Sequence, residues 1–104
     1  MEDISVNELR QRLDRGERIR LVDVREAYEH DEFNIGGELM PLGALIPEHL
    51  DALRGDEDTE IVLYCRSGNR SGVAKTLLAM AGFTRVRNLL GGMLEWQGID
   101  PSEA

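Results

Sequence analysis

Ile61-Val62-Leu63-Tyr64-Cys65-Arg66-Ser67-Gly68-Asn69-Arg70-Ser71 decides how the rest of the chain is read. Its first four residues are apolar throughout, as expected of a strand covered on both faces. The run Gly72 to Ala81 that follows reads as a helix. The one cysteine of the chain sits where the strand should end. Arg66 and Arg70 flank it, and a glycine follows three residues later. A free thiol with a pKa of about 8.5 is only about 3 % thiolate at pH 7. A pKa near 6 needs about 3.4 kcal/mol of selective anion stabilisation. A helix N-terminus supplies about 0.3–1 kcal/mol and falls short alone. The balance must come from main-chain amides aimed at the sulfur and from the two arginines. Gly68 and Asn69 are residue types that adopt positive φ, so they can curl the backbone into an anion-binding nest. Ser71 is expected to cap the helix that follows. A lone cysteine after an apolar strand is commonly an inert core residue. Such a cysteine has no need of two arginines, a glycine and a helix start within six residues.

These residues resemble the active-site loop of rhodanese-like sulfurtransferases, in the single-domain form C-R-x-G-x-R. Cys65, Arg66, Gly68 and Arg70 match it position for position. Upstream, Leu21-Val22-Asp23-Val24-Arg25-Glu26 is similar to that family's L-[IV]-D-V-R-E. Downstream, Asn88-Leu89-Leu90-Gly91-Gly92-Met93 with Trp96 is similar to N-L-x-G-G-[IM]-x-x-W. The blocks keep the family's order and spacing over nearly the whole chain. One segment departs: where many members carry H-I-P-G-A, this chain reads Asn34-Ile35-Gly36-Gly37-Glu38, with Asn34 for the histidine and Gly36 for the proline. That bears on the neighbouring loop and on partner choice, not on the cysteine loop.

At 104 residues the chain is expected to form one domain spanning 1–104, with 99–104 a frayed tail. No apolar run approaches the roughly 20 residues of a membrane span. The acidic start Met1-Glu2-Asp3 lacks the basic and apolar regions of a signal peptide. With a single cysteine these point to a cytoplasmic protein. A net charge of −8 argues against nucleic acid as a partner. It also opposes an anionic substrate at long range. The loop from Cys65 to Ser71 holds two arginines and no acid, and a screening length of about 8–10 Å lets that local pocket persist. Weak long-range steering and poor capture of bulky anions are expected.

Taken in order, Ser5-Val6-Asn7-Glu8 has the form of a capping box, opening a helix to about Arg15 with Leu9 and Leu13 on one face. Ile19 to Val24 reads as a buried strand. Asp23 and Arg25 lie at its C-terminal end, where α/β sheets bind ligands, and support the site or simply pair with each other. Glu26 to Phe33 suggests a short helix and a turn. His30 and His49 have no histidine or cysteine at metal spacing, and nothing in the sequence brings either to Cys65 as a base. Gly36 to Gly43 is a glycine-rich connection in which Leu39 suggests a short strand. Ile46 to Leu53 reads as a helix, and Gly55 to Asp58 as a solvated acidic turn. Val73, Leu77, Met80 and Ala81 recur at helical spacing and predict the buried face of the helix after the loop. Arg85 to Leu89 reads as a last strand. Gly91-Gly92 is expected to let backbone approach closely beside the loop. Trp96 is expected to anchor a terminal helix in the core.

Alternating strand and helix signals give an α/β domain with a mostly parallel sheet. The resemblance implies about five strands with helices on both faces. It also implies a sulfurtransferase: Cys65 takes sulfane sulfur from a small anionic donor such as thiosulfate, becomes a persulfide, and yields the sulfur to cyanide, a thiol or a protein thiol. Arg66 would bind the donor's oxygens, Arg70 would brace the loop, and the amides from Ser67 through Gly68, Asn69 and Arg70 to Ser71 would hold the charge. No metal or organic cofactor is called for, and no membrane. Two other classes stand beside this one. A protein-to-protein persulfide carrier or binding module would show little activity on free thiosulfate. A phosphatase or arsenate reductase would need C-x5-R, and position 71 holds serine, leaving the loop one residue short.

Overall fold

The computed structural model describes residues 1–100 and 102. A four-stranded parallel sheet forms its centre, in the order β2-β1-β3-β4. The strands are β1 (Arg20–Asp23), β2 (Glu38–Leu39), β3 (Ile61–Tyr64) and β4 (Val86–Asn88). Every residue of β3 is buried, in keeping with its uninterrupted apolar sequence and central place. The sheet has four strands rather than about five. The expected fifth is reduced to one parallel bridge, Ile4 to Leu89, with Ile4 N donating to Asn88 O at 3.0 Å and Leu90 N to Ile4 O at 2.9 Å.

Two cores lie on the two faces of the sheet. Side chains alternate along β3, so Ile61 and Leu63 join one core and Val62 and Tyr64 the other. The first core includes Val22, Leu45, Leu53, Ala74 and Leu78; the second includes Ile4, Leu9, Leu21, Leu89 and Met93. Against the second core lies α1 (Val6–Asp14), opened by Ser5, whose Oγ accepts from Glu8 N at 3.1 Å. Trp96 is only partly buried there, with the Arg10 guanidinium 4.2 Å above its ring.

Between β1 and β3 run α2 (Ala27–Glu32), α3 (Leu42–Ala44) and α4 (Leu50–Leu53). A π-helical turn over Leu45–His49 separates α3 from α4, so the expected continuous helix from Ile46 is broken. Pro47 lies within it and has no N–H to bond the preceding turn. After the cysteine loop comes α5 (Asn69–Met80), and the chain closes on α6 (Gly92–Trp96). The buried face of α5 is not the expected one. Ser71, Ala74 and Leu78 point inward, whereas Met80 is 81 % and Val73 52 % exposed. Leu77 and Ala81 are half-buried at the margin. The expected tail from 99 to 104 falls partly on residues 101, 103 and 104, outside the described residues; Ile99 N still donates to Leu94 O at 2.8 Å.

Candidate active site

Cys65 follows directly on the C-terminal end of β3, the end at which open parallel sheets bind ligands. Its backbone is held from below by the start of α6. Met93 N donates to Cys65 O at 2.9 Å and Leu94 N to Arg66 O at 3.0 Å. That grip requires Gly92: at φ +54°, a Cβ there would lie 2.5 Å from Cys65 O and 2.7 Å from Arg66 O. The close approach expected of Gly91-Gly92 is therefore made by the second glycine against the loop's own carbonyls.

The loop then turns over the sulfur. Gly68, at φ +105°, is the left-handed residue that enters α5. Asn69 does not share this conformation; among the described residues positive φ belongs to glycine alone. Gly68 N donates to Cys65 Sγ at 3.0 Å and Ser71 N at 3.5 Å. Ser71 does not cap the helix, because the chain is already helical from Asn69. Its hydroxyl lies inside the first turn, 3.2 Å from the sulfur. Cys65 is 1 % exposed, and burial pushes its thiol up. The Ser71 hydroxyl and the amides of Ser71, Gly68 and Ser67 together outweigh burial, and the thiol lies below its ordinary value. A hydrogen bond to a charged group is generally stronger than one between neutral groups, so several donors together can offset the burial of one sulfur.

The two arginines part company. Arg70 pairs with Glu29 of α2, with Nη1–Oε1 at 2.6 Å and Nη2–Oε2 at 2.8 Å. Those bonds hold the Glu29 carboxyl down at about 2, against a smaller upward push from burial. Arg70 thus reaches the loop's surroundings as half of an ion pair, not as a bare charge. Arg66 is exposed and lines a cleft of about 490 Å³ between α2 and α6, with Tyr28, Phe33, Leu94 and Gln97 among its walls. Ser67 lines a second cleft on the other side of the turn, and Asn69 faces solvent.

Asp23 and Arg25 form a buried bidentate pair, Nε–Oδ1 2.9 Å and Nη2–Oδ2 2.8 Å. Burial raises the Asp23 carboxyl, but its bonds to Arg25 and His30 prevail and it lies below its ordinary value. Arg25 also donates to Phe33 O at 2.6 Å, and His30 Nδ1 lies 2.8 Å from Asp23 Oδ2. The pair serves to fasten α2, which carries Glu29, and Arg25 reaches the wall of the Arg66 cleft. His30 is committed to Asp23, and His49 lies on the π-helical turn; neither is among the sulfur's hydrogen-bond partners. Among the described residues no group of three His, Cys, Asp or Glu side chains is placed to hold a metal. No helix among them is long and apolar enough to cross a membrane. The atypical segment closes on itself. Asn34 Oδ1 accepts from Gly36 N at 2.8 Å, and Gly36 takes φ +92°, which a proline cannot adopt.

Two residues at the site carry no role in the sequence reading. Glu29 is one acid in a charged run. Asn88 figures only as the first letter of a motif, yet its side chain touches both Gly68 and Ser71.

Known proteins resemble this chain over most of its length. A "Sulfurtransferase" of Allochromatium vinosum is 38 % identical over 97 residues, covering 90 % of this chain and 86 % of that one. A "Putative sulfur carrier protein YrkF" of Bacillus subtilis is 34 % identical over 92 % of this chain, which spans about half (51 %) of that relative's length. The crystal structure of a rhodanese-like domain protein from Staphylococcus aureus superposes with a TM-score of 0.82 at 28 % identity, covering 92 % of this chain and 91 % of that one. The family model described as "Rhodanese-like domain" matches residues 5–99, and the chain belongs to that family.

Proposed function

We propose that the protein is a sulfurtransferase that carries sulfane sulfur on Cys65. The observation that carries this reading is the set of donors closed around one sulfur: Gly68 N, Ser71 N and Ser71 Oγ. In the first half-reaction the thiolate attacks the terminal sulfur of a donor such as thiosulfate. The new S–S bond takes the place of the donor's own, whose electron pair leaves with the sulfite. Exposed Arg66 meets the donor's oxygens at the cleft, and the ion-paired Arg70 braces the loop. In the second half-reaction a nucleophile such as cyanide or a thiol attacks the outer sulfur, and the electron pair returns to Cys65 as thiolate. Two separate halves predict ping-pong kinetics. A cytoplasmic, reducing setting suits a chain whose one thiol must be free between turnovers.

Recession of the sulfur favours this chemistry over phosphoryl transfer. A terminal sulfur atom projects from its donor and can reach a thiolate at the floor of a loop. A phosphorus centre is shielded by four oxygens and needs a wider cradle, which a loop with arginine at position 70 and serine at 71 does not supply.

Incubation with thiosulfate followed by intact mass measurement tests the proposal. We expect a gain of about 32 Da, one sulfur atom, that cyanide removes and that Cys65→Ser abolishes. No gain in the wild-type protein would overturn it. The relative named as a sulfur carrier supports a second reading, in which donor and acceptor are both proteins. Slow turnover of free thiosulfate beside fast transfer from the loaded Cys65 to a partner's thiol would favour that reading.

A further inference from the structure

Asn88 ends β4 and is 7 % exposed. Its Nδ2 donates to Gly68 O at 3.0 Å. That bond fixes the amide's orientation, since the opposite one would set two acceptor oxygens against each other. Oδ1 must therefore face Ser71 Oγ, which it does at 2.5 Å. Ser71 Oγ is at the same time 3.2 Å from Cys65 Sγ. A hydroxyl has one proton, and here two acceptors claim it.

We propose that Asn88 is a positioning residue that acts on Cys65 through Ser71: it receives the hydroxyl proton while the sulfur is neutral and releases it to the sulfur when the sulfur becomes an anion. In the thiol form, S–H can donate to Ser71 Oγ while O–H donates to Asn88. In the thiolate form the hydroxyl turns to the sulfur, and Asn88 Oδ1 loses its donor. No proton changes heavy atom in this exchange; one O–H bond rotates. Asn88 therefore opposes the thiolate slightly and favours the persulfide, whose negative charge sits on the outer sulfur and leaves Sγ itself uncharged, keeping the two halves of the cycle near balance. The inference rests on the sulfurtransferase reading only for that last consequence.

The charged groups around the triad are few. Arg70 is paired with Glu29, and Arg66 is exposed. Behind Asn88, Asp3 Oδ1 accepts from Asn88 N at 3.1 Å and from Lys75 Nζ at 2.7 Å. None of these lies between Ser71 and its two acceptors.

The test is the titration of Cys65 in the resting protein, read from thiolate absorbance and from the pH dependence of alkylation, with no sulfur donor present. Asn88→Leu keeps the branching and the number of side-chain heavy atoms and removes the competing acceptor; Gly68 O retains Gly72 N at 3.1 Å. Its midpoint should fall by at least 0.5 pH unit, about threefold in the ionisation equilibrium. Asn88→Asp supplies a stronger competitor and a charge, and should raise the midpoint by a unit or more. In the Ser71→Ala background the Leu effect should vanish and the Asp effect should shrink to its charge repulsion. Shifts of the same sign for Leu and Asp, or a Leu shift that survives loss of Ser71, would overturn the proposal. Should Asn88→Leu fail to fold, an Asp shift equal in the two backgrounds overturns it alone. A missing 32 Da gain with thiosulfate, by contrast, removes the sulfurtransferase reading and leaves this titration unaffected.

Discussion

A methyl group at residue 92 would have to enter the space held by the carbonyls of Cys65 and Arg66. It would also hold an L side chain at φ +54°. Gly92→Ala should therefore push the loop outward, at a cost of about 2–3 kcal/mol. Urea unfolding measures that loss, and persulfide formation should slow at least tenfold because the sulfur is displaced from Gly68 N and Ser71. Unchanged stability and rate would mean that the contact is looser than it stands here. The residues around the sulfur were unevenly legible. The contact of Gly68 with Cys65 is legible because it is local to one stretch. Asn88 acts on a residue 17 positions away and Glu29 on one 41 positions away. No spacing rule reaches that far. The sequence suggests a cap at Ser71 because serine before a helix usually is one. Its inward hydroxyl follows from a helix that begins two residues earlier.

At the scale of the element, the phase of α5 follows from the same cause. Ser71 must face the sulfur, so Ala74 and Leu78 come inward with it at i+3 and i+7. Apolarity alone favoured Val73, Leu77 and Met80, and it was outvoted by the geometry of the loop. The helix α2 depends on charge to a greater degree. Six residues are too few for a helix to persist alone. It is tied down by Glu29 to Arg70, His30 to Asp23, and Phe33 O to Arg25. Glu29→Gln should make the backbone amides of α2 exchange with solvent about tenfold faster, about 1.4 kcal/mol of local stability. Hydrogen exchange by mass spectrometry reads this directly; protection equal to wild type would show that Arg70 contributes nothing to holding α2. Strand existence and order of elements were legible from the apolar runs. The break at Leu45–His49 was not, because Pro47 at the start of a helix and Pro47 within a π-helical turn look alike in sequence.

Across the whole molecule, a second charge network sits at the end of β3 away from the sulfur. Glu60, just before β3, accepts from Arg12 of α1 at 2.6 and 2.8 Å and from Arg87 of β4 at 2.9 Å. Arg12 chiefly, with Arg87, holds its carboxyl down at about 2 against its ordinary 4.5, burial opposing. A folded-state value below the unfolded one means that the unfolded chain binds more protons between them. The stabilisation is therefore complete above about pH 4.5 and fades as pH falls through about 2. Glu60→Gln should lower stability at pH 7 by about 2 kcal/mol, and the variant and wild-type curves of urea midpoint against pH should converge at acid pH. Curves that stay parallel would count against the network.

The first four residues have an importance out of scale with their number. Ile4 lies along Leu89, and Asp3 is tied to Lys75 and to the main chain of Asn88. Without them β4 would be a bare rim of the sheet, offering its amide and carbonyl groups to any strand that came by. Peeling away this selvedge would both invite one molecule to stitch onto the next and slacken the asparagine behind the sulfur. A chain shortened to begin at Ser5 should then show self-association and altered thiol reactivity together, as two symptoms of one torn hem.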